Sequence, residues 1–82
     1  MRNRESLEEK TLRKILKDRR IELKLSQRDV AKDKGFPHTF VGKYEMGERF
    51  LTFTEVIEIC KYLKLDIHKI VDEISSLSDK ND

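Results

Sequence analysis

Few side chains in this sequence could perform covalent chemistry or hold a metal ion. There are two histidines, His38 and His68, and one cysteine, Cys60. Their spacing is not that of a metal site, and Cys60 lies within an apolar helix face, which indicates a buried and inert thiol. The serines fall at predicted helix starts or near the C-terminus. The sequence therefore predicts no enzyme activity, no metal site and no cofactor.

The segment GFPHTFVGKYEMGER, residues 35–49, indicates a different kind of chemistry. It contains all three glycines and the only proline of the chain, together with polar and basic side chains. Residues 1–49 carry 14 lysines and arginines against 9 acidic residues, whereas residues 50–82 carry 4 against 7. This separation of charge favours a polyanionic partner for the first part of the chain.

The composition limits the architecture to one small domain. The chain has 82 residues, of which 41% are charged and 37% hydrophobic, so its core must be built from amphipathic elements. No run of 18 apolar residues predicts a membrane span, and the N-terminal MRNRESLEEK does not resemble a secretory signal. A single cysteine is typical of a reducing compartment. We therefore expect a cytoplasmic protein that has no membrane partner.

Apolar spacing and helix-capping residues predict five helices and no strand, which is an all-α fold. The first three helices are expected at about residues 7–23, 27–34 and 37–46, with Pro37 in the first turn of the third. The fourth follows a capping box of Thr52 and Glu55 and reaches Leu63, and the fifth follows Asp66. We expect the folded domain at residues 6–74, flanked by flexible segments at 1–5 and 75–82.

The second and third helices have the pattern of a helix-turn-helix. Both are short, and a brief connection beginning with Gly35 joins them. A small residue at Ala31 lets the two helices cross closely, and an apolar residue at Val41 packs the third helix onto the second. This geometry projects the third helix into the major groove of DNA.

The wider stretch LSQRDVAKDKGFPHTFVGKYEMGER, residues 25–49, resembles the Cro/repressor-type helix-turn-helix regulators of bacteria and phage (the xenobiotic-response-element family). The similarity extends over roughly residues 12–67. The matching positions are Leu25, Ser26, Gln27, Ala31, Gly35, Val41, Tyr44, Glu45, Gly47 and Arg49. The resemblance implies a five-helix lambda-repressor-like domain whose partner is double-stranded DNA.

The resemblance also implies which residues meet the DNA. Gln27 matches a glutamine that binds a phosphate and braces the recognition helix, while His38, Thr39 and Lys43 match base-reading positions. Arg49 matches a position that meets the DNA backbone. The full set expected at the DNA consists of Gln27, Arg28, His38, Thr39, Phe40, Gly42, Lys43 and Arg49.

Three positions in this segment need separate interpretation. The resemblance implies a largely buried ion pair between Arg20 and Glu45 that positions the recognition helix. For Phe40 two orientations are open: the ring contacts thymine methyl groups at the groove rim, or it packs on helix one or on the loop after Gly47. Gly42 could allow close approach to the sugar-phosphate backbone.

Departures from the family pattern are also present. Lys34 stands where an apolar residue is usual before the turn glycine, so local packing must differ. Glu48 replaces a frequent basic residue, which removes one expected phosphate contact.

The fifth helix carries an apolar stripe longer than a small core requires. The stripe contains Ile67, Ile70, Val71 and Ile74. With the end of helix four it is expected to form a two-fold dimer interface, because a dimer reads two half-sites about one helical turn apart. The alternative is that the stripe closes the core of the monomer.

Together these features favour a homodimeric, sequence-specific transcriptional repressor that reads an inverted repeat through helix three. A domain for a small-molecule effector does not fit in 82 residues. The alternative function is that of an antitoxin-like or adaptor module that uses the same fold mainly to bind a protein partner.

Overall fold

A computed structural model describes residues 5–79, with side chains through Leu77, and its described part consists of five helices without a strand. The expected all-α, five-helix class is therefore confirmed. The helices are α1 (Leu7–Glu22), α2 (Gln27–Lys34), α3 (Phe40–Glu45), α4 (Phe53–Leu63) and α5 (Ile67–Asp79).

Capping side chains determine where the helices begin. The Ser26 hydroxyl accepts from the Asp29 N–H at 3.0 Å, and the Asp29 carboxylate accepts from the Ser26 N–H at 2.8 Å. Thr52 and Glu55 form the same reciprocal box at the start of α4. Each box satisfies backbone donors that the first helical turn leaves free. The α2 and α4 boundaries therefore follow directly from the local sequence.

The third helix is shorter than expected. It begins at Phe40, three residues after the predicted start at Pro37. Residues 37–39 instead form a turn, closed by a hydrogen bond of 2.9 Å from the Phe40 N–H to the Pro37 carbonyl. Gly35 has a positive φ of 71° and ends α2, so the chain reverses direction before it can enter α3.

The fifth helix continues beyond the predicted end of the domain at residue 74. It extends through Asp79, and the Ser76 hydroxyl donates to the Glu73 carbonyl at 2.8 Å within it. The half-buried Leu77 follows Ile74 at helical spacing and explains the continuation. The remaining positions of the predicted flexible ends, residues 1–4 and 80–82, lie outside the described residues.

One apolar core connects all five helices. Helix α1 packs against α3, α4 and α5, and α2 packs against α3 and α4. Every helix contributes at least one buried side chain, so none of the five is peripheral. The buried residues are Leu16, Val30, Ala31, Phe40, Val41, Tyr44, Leu51, Val56, Ile59, Cys60, Leu63 and Ile70.

Candidate nucleic-acid interface

The crossing of α2 and α3 has the tight packing that the helix-turn-helix pattern predicts. Val30, Ala31 and Val41 are all buried at this crossing, and α2 ends in the left-handed residue Gly35. The Phe36 N–H donates to the Ala31 carbonyl at 2.9 Å, which closes the end of α2. Helix α3 is thereby held against α2 by its inner side, and its other side is left to the solvent.

The phase of α3 decides which side chains face the solvent. Positions 40, 41 and 44 point into the core, whereas Thr39, Lys43 and Met46 are exposed on the opposite side. This exposed side belongs to an open cleft of about 410 Å³ between α2 and α3. The residues that line the cleft are Gln27, Arg28, His38, Thr39, Gly42, Lys43, Met46 and Glu48.

Six of the eight residues expected at the DNA therefore lie together on one surface. These six are Gln27, Arg28, His38, Thr39, Gly42 and Lys43. The surface also contains Met46, whose side chain is 72% exposed and which was not expected there. Its position one turn beyond Lys43 on the same helix face was the available signal.

Phe40 does not face the groove, so the thymine-contact interpretation is wrong for this structure. Its side chain is only 6% exposed. The ring stacks on Phe36 with centroids 4.1 Å apart and meets Tyr44 edge-on at 5.7 Å. Tyr44 follows Phe40 by four residues and Val41 by three, so the three side chains share the inner side of α3. The alternative, packing against the fold, is the correct one, with Phe36 as the main partner.

The ion pair between Arg20 and Glu45 is present. Arg20 donates from Nε to one Glu45 carboxylate oxygen at 2.8 Å and from a terminal nitrogen to the other at 3.1 Å. The side chains are 12% and 3% exposed, respectively. Hydrogen bonding to Glu45 raises the pKa of Arg20 above its usual value. Another Arg20 nitrogen donates to the Leu25 carbonyl at 2.8 Å, which fixes the α1–α2 connection.

Gln27 joins this cluster and explains the glycine at position 42. Its side-chain amide donates to Glu45 at 2.9 Å. A Cβ atom at position 42 would lie 3.1 Å from the Gln27 side-chain oxygen, a distance shorter than ordinary van der Waals contact. Gly42 therefore leaves room for Gln27 to cross α3 and reach Glu45. This contact within the chain accounts for the glycine without any approach of the DNA backbone.

Arg49 has partners within the fold. Its guanidinium forms a two-point ion pair with Glu55 at 3.0 and 3.1 Å and donates to the Phe50 carbonyl at 2.8 Å. It also lies 4.5 Å from the centroid of the Phe40 ring. The hydrogen bonds from Arg49 lower the pKa of Glu55. Arg49 thus ties the loop after α3 to the start of α4, and it lies outside the cleft.

Lys34 and Glu48, the two departures from the family pattern, lie at the end of α2 and at the edge of the cleft, respectively. Lys34 is only partly buried at the end of α2, and Phe36 packs against the core two residues later. Glu48 is exposed and lines the cleft, so one edge of the exposed surface is acidic.

The apolar stripe of α5 divides between the core and the surface. Ile70 is 6% exposed and belongs to the core, which corrects its assignment to a dimer interface, and Ile74 packs against that core. Val71 is 48% exposed, and the neighbouring Phe53 of α4 is 69% exposed. The sequence interpretation missed Phe53, because it is the first residue of α4 and precedes the apolar run.

An apolar groove of about 350 Å³ surrounds these two exposed residues. It is lined by Phe53, Ile57, Ile67, His68, Val71 and Asp72. We refer to Phe53, Ile57, Ile67 and Val71 as the α4–α5 apolar surface. It contains two of the four predicted interface residues, Ile67 and Val71.

Other kinds of site find no support in the described residues. Within residues 5–79, no three His, Cys, Asp or Glu side chains are grouped so that they could hold a metal ion. Cys60 is buried, and burial raises the pKa of its thiol. No helix in this range has the length and apolar character to cross a membrane.

Comparison with known proteins adds one finding. The model of the helix-turn-helix family HTH_3 matches residues 16–70, which include the second half of α1, all of α2, α3 and α4, and the start of α5. Neither a curated protein nor a solved structure shows significant similarity to this chain.

Proposed function

The chain belongs to the helix-turn-helix family HTH_3, whose members are DNA-binding regulators of transcription, and we propose that it is a homodimeric repressor. In this proposal α3 enters the major groove of an inverted-repeat operator, one half-site for each protomer. Binding at the operator blocks access of the transcription machinery to the promoter.

The observation that carries the proposal is the contrast between the two sides of α3. Its inner side is anchored by Phe40, Val41 and Tyr44, and its end is held by the ion pair of Glu45. Its outer side presents Thr39 and Lys43, whose exposed side chains make no hydrogen bond or ion pair within residues 5–79. A rigidly held helix with polar side chains on its exposed side is suited to reading base edges. Its backbone is already ordered, so less conformational entropy is lost when DNA binds.

The residues at the cleft have separable roles in this proposal. His38, Thr39 and Lys43 donate to base edges, with Lys43 able to reach guanine O6 and N7. Gln27 and Arg28, at the start of α2, contact phosphates, because a helix N-terminus also favours anions. Arg49 has an indirect role: it pairs with Glu55 and packs on the Phe40 ring, and so stabilises the position of α3.

The α4–α5 apolar surface supports the dimer. Phe53 and Val71 are large apolar side chains exposed side by side, with Ile57 and Ile67 partly exposed around them. A second copy would cover this surface by a two-fold contact of the same residues on both protomers. The dimer in turn doubles the number of base contacts, which a repressor requires for selectivity.

Selection of bound duplexes from a random DNA library, with purified protein at about 0.15 M salt, tests the proposal. We expect enrichment of an inverted repeat whose half-sites lie about 10 base pairs apart, one turn of DNA. A reporter gene placed behind that operator should then be expressed less when the protein is present. Folded protein that enriches no sequence would overturn the proposal and favour a protein-binding module.

A further inference from the structure

A basic face of α1 lies beside the C-terminal end of α3. The face consists of Lys10, Arg13, Lys14 and Lys17, whose spacing of three and four residues places them on one side of the helix. They line an open cleft of about 340 Å³ that also contains Asp18 and Glu45. Because Glu45 is the last residue of α3, the cleft connects α1 directly to the recognition helix.

Arg13 fixes the position of this face relative to α3. A Cβ atom at Gly47 would lie 3.1 Å from the central guanidinium carbon of Arg13 and 3.2 Å from both terminal nitrogens. The Arg13 side chain is 15% exposed, so its guanidinium lies against the backbone just after the recognition helix. Gly47 is buried and has a positive φ of 83°, so only glycine is well suited to this contact.

The lysines of this face are available to a larger polyanion. Lys10, Lys14 and Lys17 are all exposed. Lys10 pairs with Glu5 at 3.4 Å and Lys14 with Asp18 at 2.7 Å, and both pairs lie at the surface. Exposed pairs of this kind contribute little to stability and are screened by salt, so phosphates can replace the carboxylates at small cost.

We propose that the basic face of α1 binds the phosphate backbone of DNA beside the C-terminal end of α3. The proposal rests on the proposed function and adds a second backbone contact to it. A helix in the major groove has a sugar-phosphate strand on each side. The cleft between α2 and α3 contains one cation of α2, Arg28, and also the acidic Glu48. The lysines of α1 supply the cations that the second strand requires.

The test compares two double variants of equal charge. Lys10→Gln/Lys17→Gln removes two lysines of the basic face, and Lys61→Gln/Lys69→Gln removes two exposed lysines from α4 and α5. The measurement is the affinity for the selected operator as a function of salt concentration, together with thermal unfolding to show that both variants are folded. The slope of log affinity against log salt counts the phosphates that the protein neutralises.

The first variant should have a slope shallower by about 1.8 for each bound protomer, since each lost phosphate contact reduces it by about 0.9. If affinities converge at 1 M salt, this corresponds to about 30-fold weaker binding at 0.15 M salt for each protomer, or about 900-fold for a dimer on the full operator. The enriched operator sequence should be unchanged, because phosphate contacts carry no direct sequence information. The Lys61→Gln/Lys69→Gln variant should keep the wild-type slope.

Two results would overturn the inference and leave the proposed function intact. One is a wild-type slope in the first variant. The other is an equal reduction of the slope in both variants, which would indicate that the net charge of the protein, and not contact at the α1 face, determines the salt dependence. If the first variant kept its DNA slope but lost affinity for polyglutamate, the face would serve an acidic polypeptide instead. Absence of any operator binding by the wild-type protein would contradict the proposed function itself.

Discussion

The Glu45 carboxylate is the point at which three helices meet. Glu45 ends α3, and it accepts hydrogen bonds from Arg20 of α1 and from Gln27 at the start of α2. These donors stabilise the charge of the nearly buried carboxylate. Removal of the carboxylate would leave the Arg20 guanidinium largely shielded from water and without an opposite charge. The cluster therefore holds the recognition helix in position and makes that position sensitive to a single substitution.

Glu45→Ala should destabilise the protein by about 3–5 kcal/mol, because it leaves the guanidinium of Arg20 unpaired in a mostly buried site. Urea denaturation followed by circular dichroism measures this change. Asp18→Ala is the control, since it breaks the exposed Lys14–Asp18 pair and should cost less than about 1 kcal/mol. Equal effects of the two substitutions would show that burial of the Glu45 cluster contributes nothing.

Lys43→Ala should weaken discrimination at one or two base pairs of each half-site by about 1–3 kcal/mol, the usual contribution of a well-placed base contact. Stability should not change, because the Lys43 side chain is exposed. Competition binding with operators changed at single base pairs measures the discrimination, and Lys61→Ala on α4 serves as the control. An unchanged base preference would remove Lys43 from the reading surface.

At the scale of elements, the connection between α3 and α4 depends on one carboxylate with two functions. Glu55 accepts from the Thr52 N–H at 2.8 Å and so completes the cap of α4. The same carboxylate pairs with Arg49, which in turn lies over Phe40. The start of α4 and the inner side of α3 are therefore linked through Arg49 and Glu55.

The pKa of Glu55 in the folded protein is lowered from its ordinary value of 4.5, chiefly by the hydrogen bonds from Arg49. A carboxyl group with a lowered folded pKa stabilises the protein above the unfolded pKa, and this stability is lost as the pH falls through the folded pKa. The wild-type protein should therefore lose stability as the pH falls below about 4.5. Asp29 and Asp66, whose pKa values are also lowered, should add to this loss below their ordinary value of 3.8.

Glu55→Gln should make this loss on acidification shallower, since glutamine can still cap α4 but does not titrate. Urea denaturation at a series of pH values from 3 to 7 measures it. Glu58→Gln, on the exposed side of the same helix, is the matched control for the removal of one carboxylate. The same acid dependence in both variants would argue against a stabilising Arg49–Glu55 pair.

Element boundaries that depend on local chemistry could be predicted from the sequence, and those that depend on tertiary packing could not. Ser26 with Asp29 and Thr52 with Glu55 placed the starts of α2 and α4 correctly, because both partners of each box lie within four residues. The start of α3 was predicted too early, because residues 37–39 form a turn closed by the Phe40 N–H and the Pro37 carbonyl. The orientation of Phe40 depended on tertiary packing, because its ring stacks on Phe36 in the connection before α3.

The candidate site was predictable to a similar degree. The resemblance to the family supplied the pairing of Arg20 with Glu45 and the group of residues around Lys43. It could not supply the partners of Arg49, because the pair with Glu55 depends on the conformation of the connection between α3 and α4.

At the scale of the whole molecule, the helices separate two surfaces with different chemistry. The polar cleft of α2 and α3 and the basic face of α1 lie around the recognition helix, whereas the α4–α5 apolar surface is formed by the other two helices. Contact with a second copy at α4 and α5 would therefore leave the cleft open to DNA. The charge difference between the two parts of the sequence follows the same division.

Phe53→Asp/Val71→Asp should convert the proposed dimer to a monomer that remains folded. Both side chains are exposed in the single chain, and a charge at the interface must be desolvated on dimerisation. Analytical ultracentrifugation measures the mass, and thermal unfolding confirms the fold. Lys61→Gln/Lys69→Gln, which also lowers the net charge by two on the same two helices, is the control. Ile70→Asp should instead unfold the protein, since Ile70 lies in the core. A persistent dimer of the first variant would place the interface elsewhere.

The exposed side of α3 also has a consequence for how the DNA specificity of such a protein can change during evolution. Within residues 5–79, the side chains of His38, Thr39 and Lys43 have no hydrogen bond or ion pair to the rest of the fold. Substitutions at these positions are therefore nearly free of stability cost, while Tyr44 and Glu45 beside them are tightly constrained. Gene duplicates could acquire new operators by a few exchanges at the three positions, and a combinatorial library confined to them would sample new specificities on an unchanged scaffold.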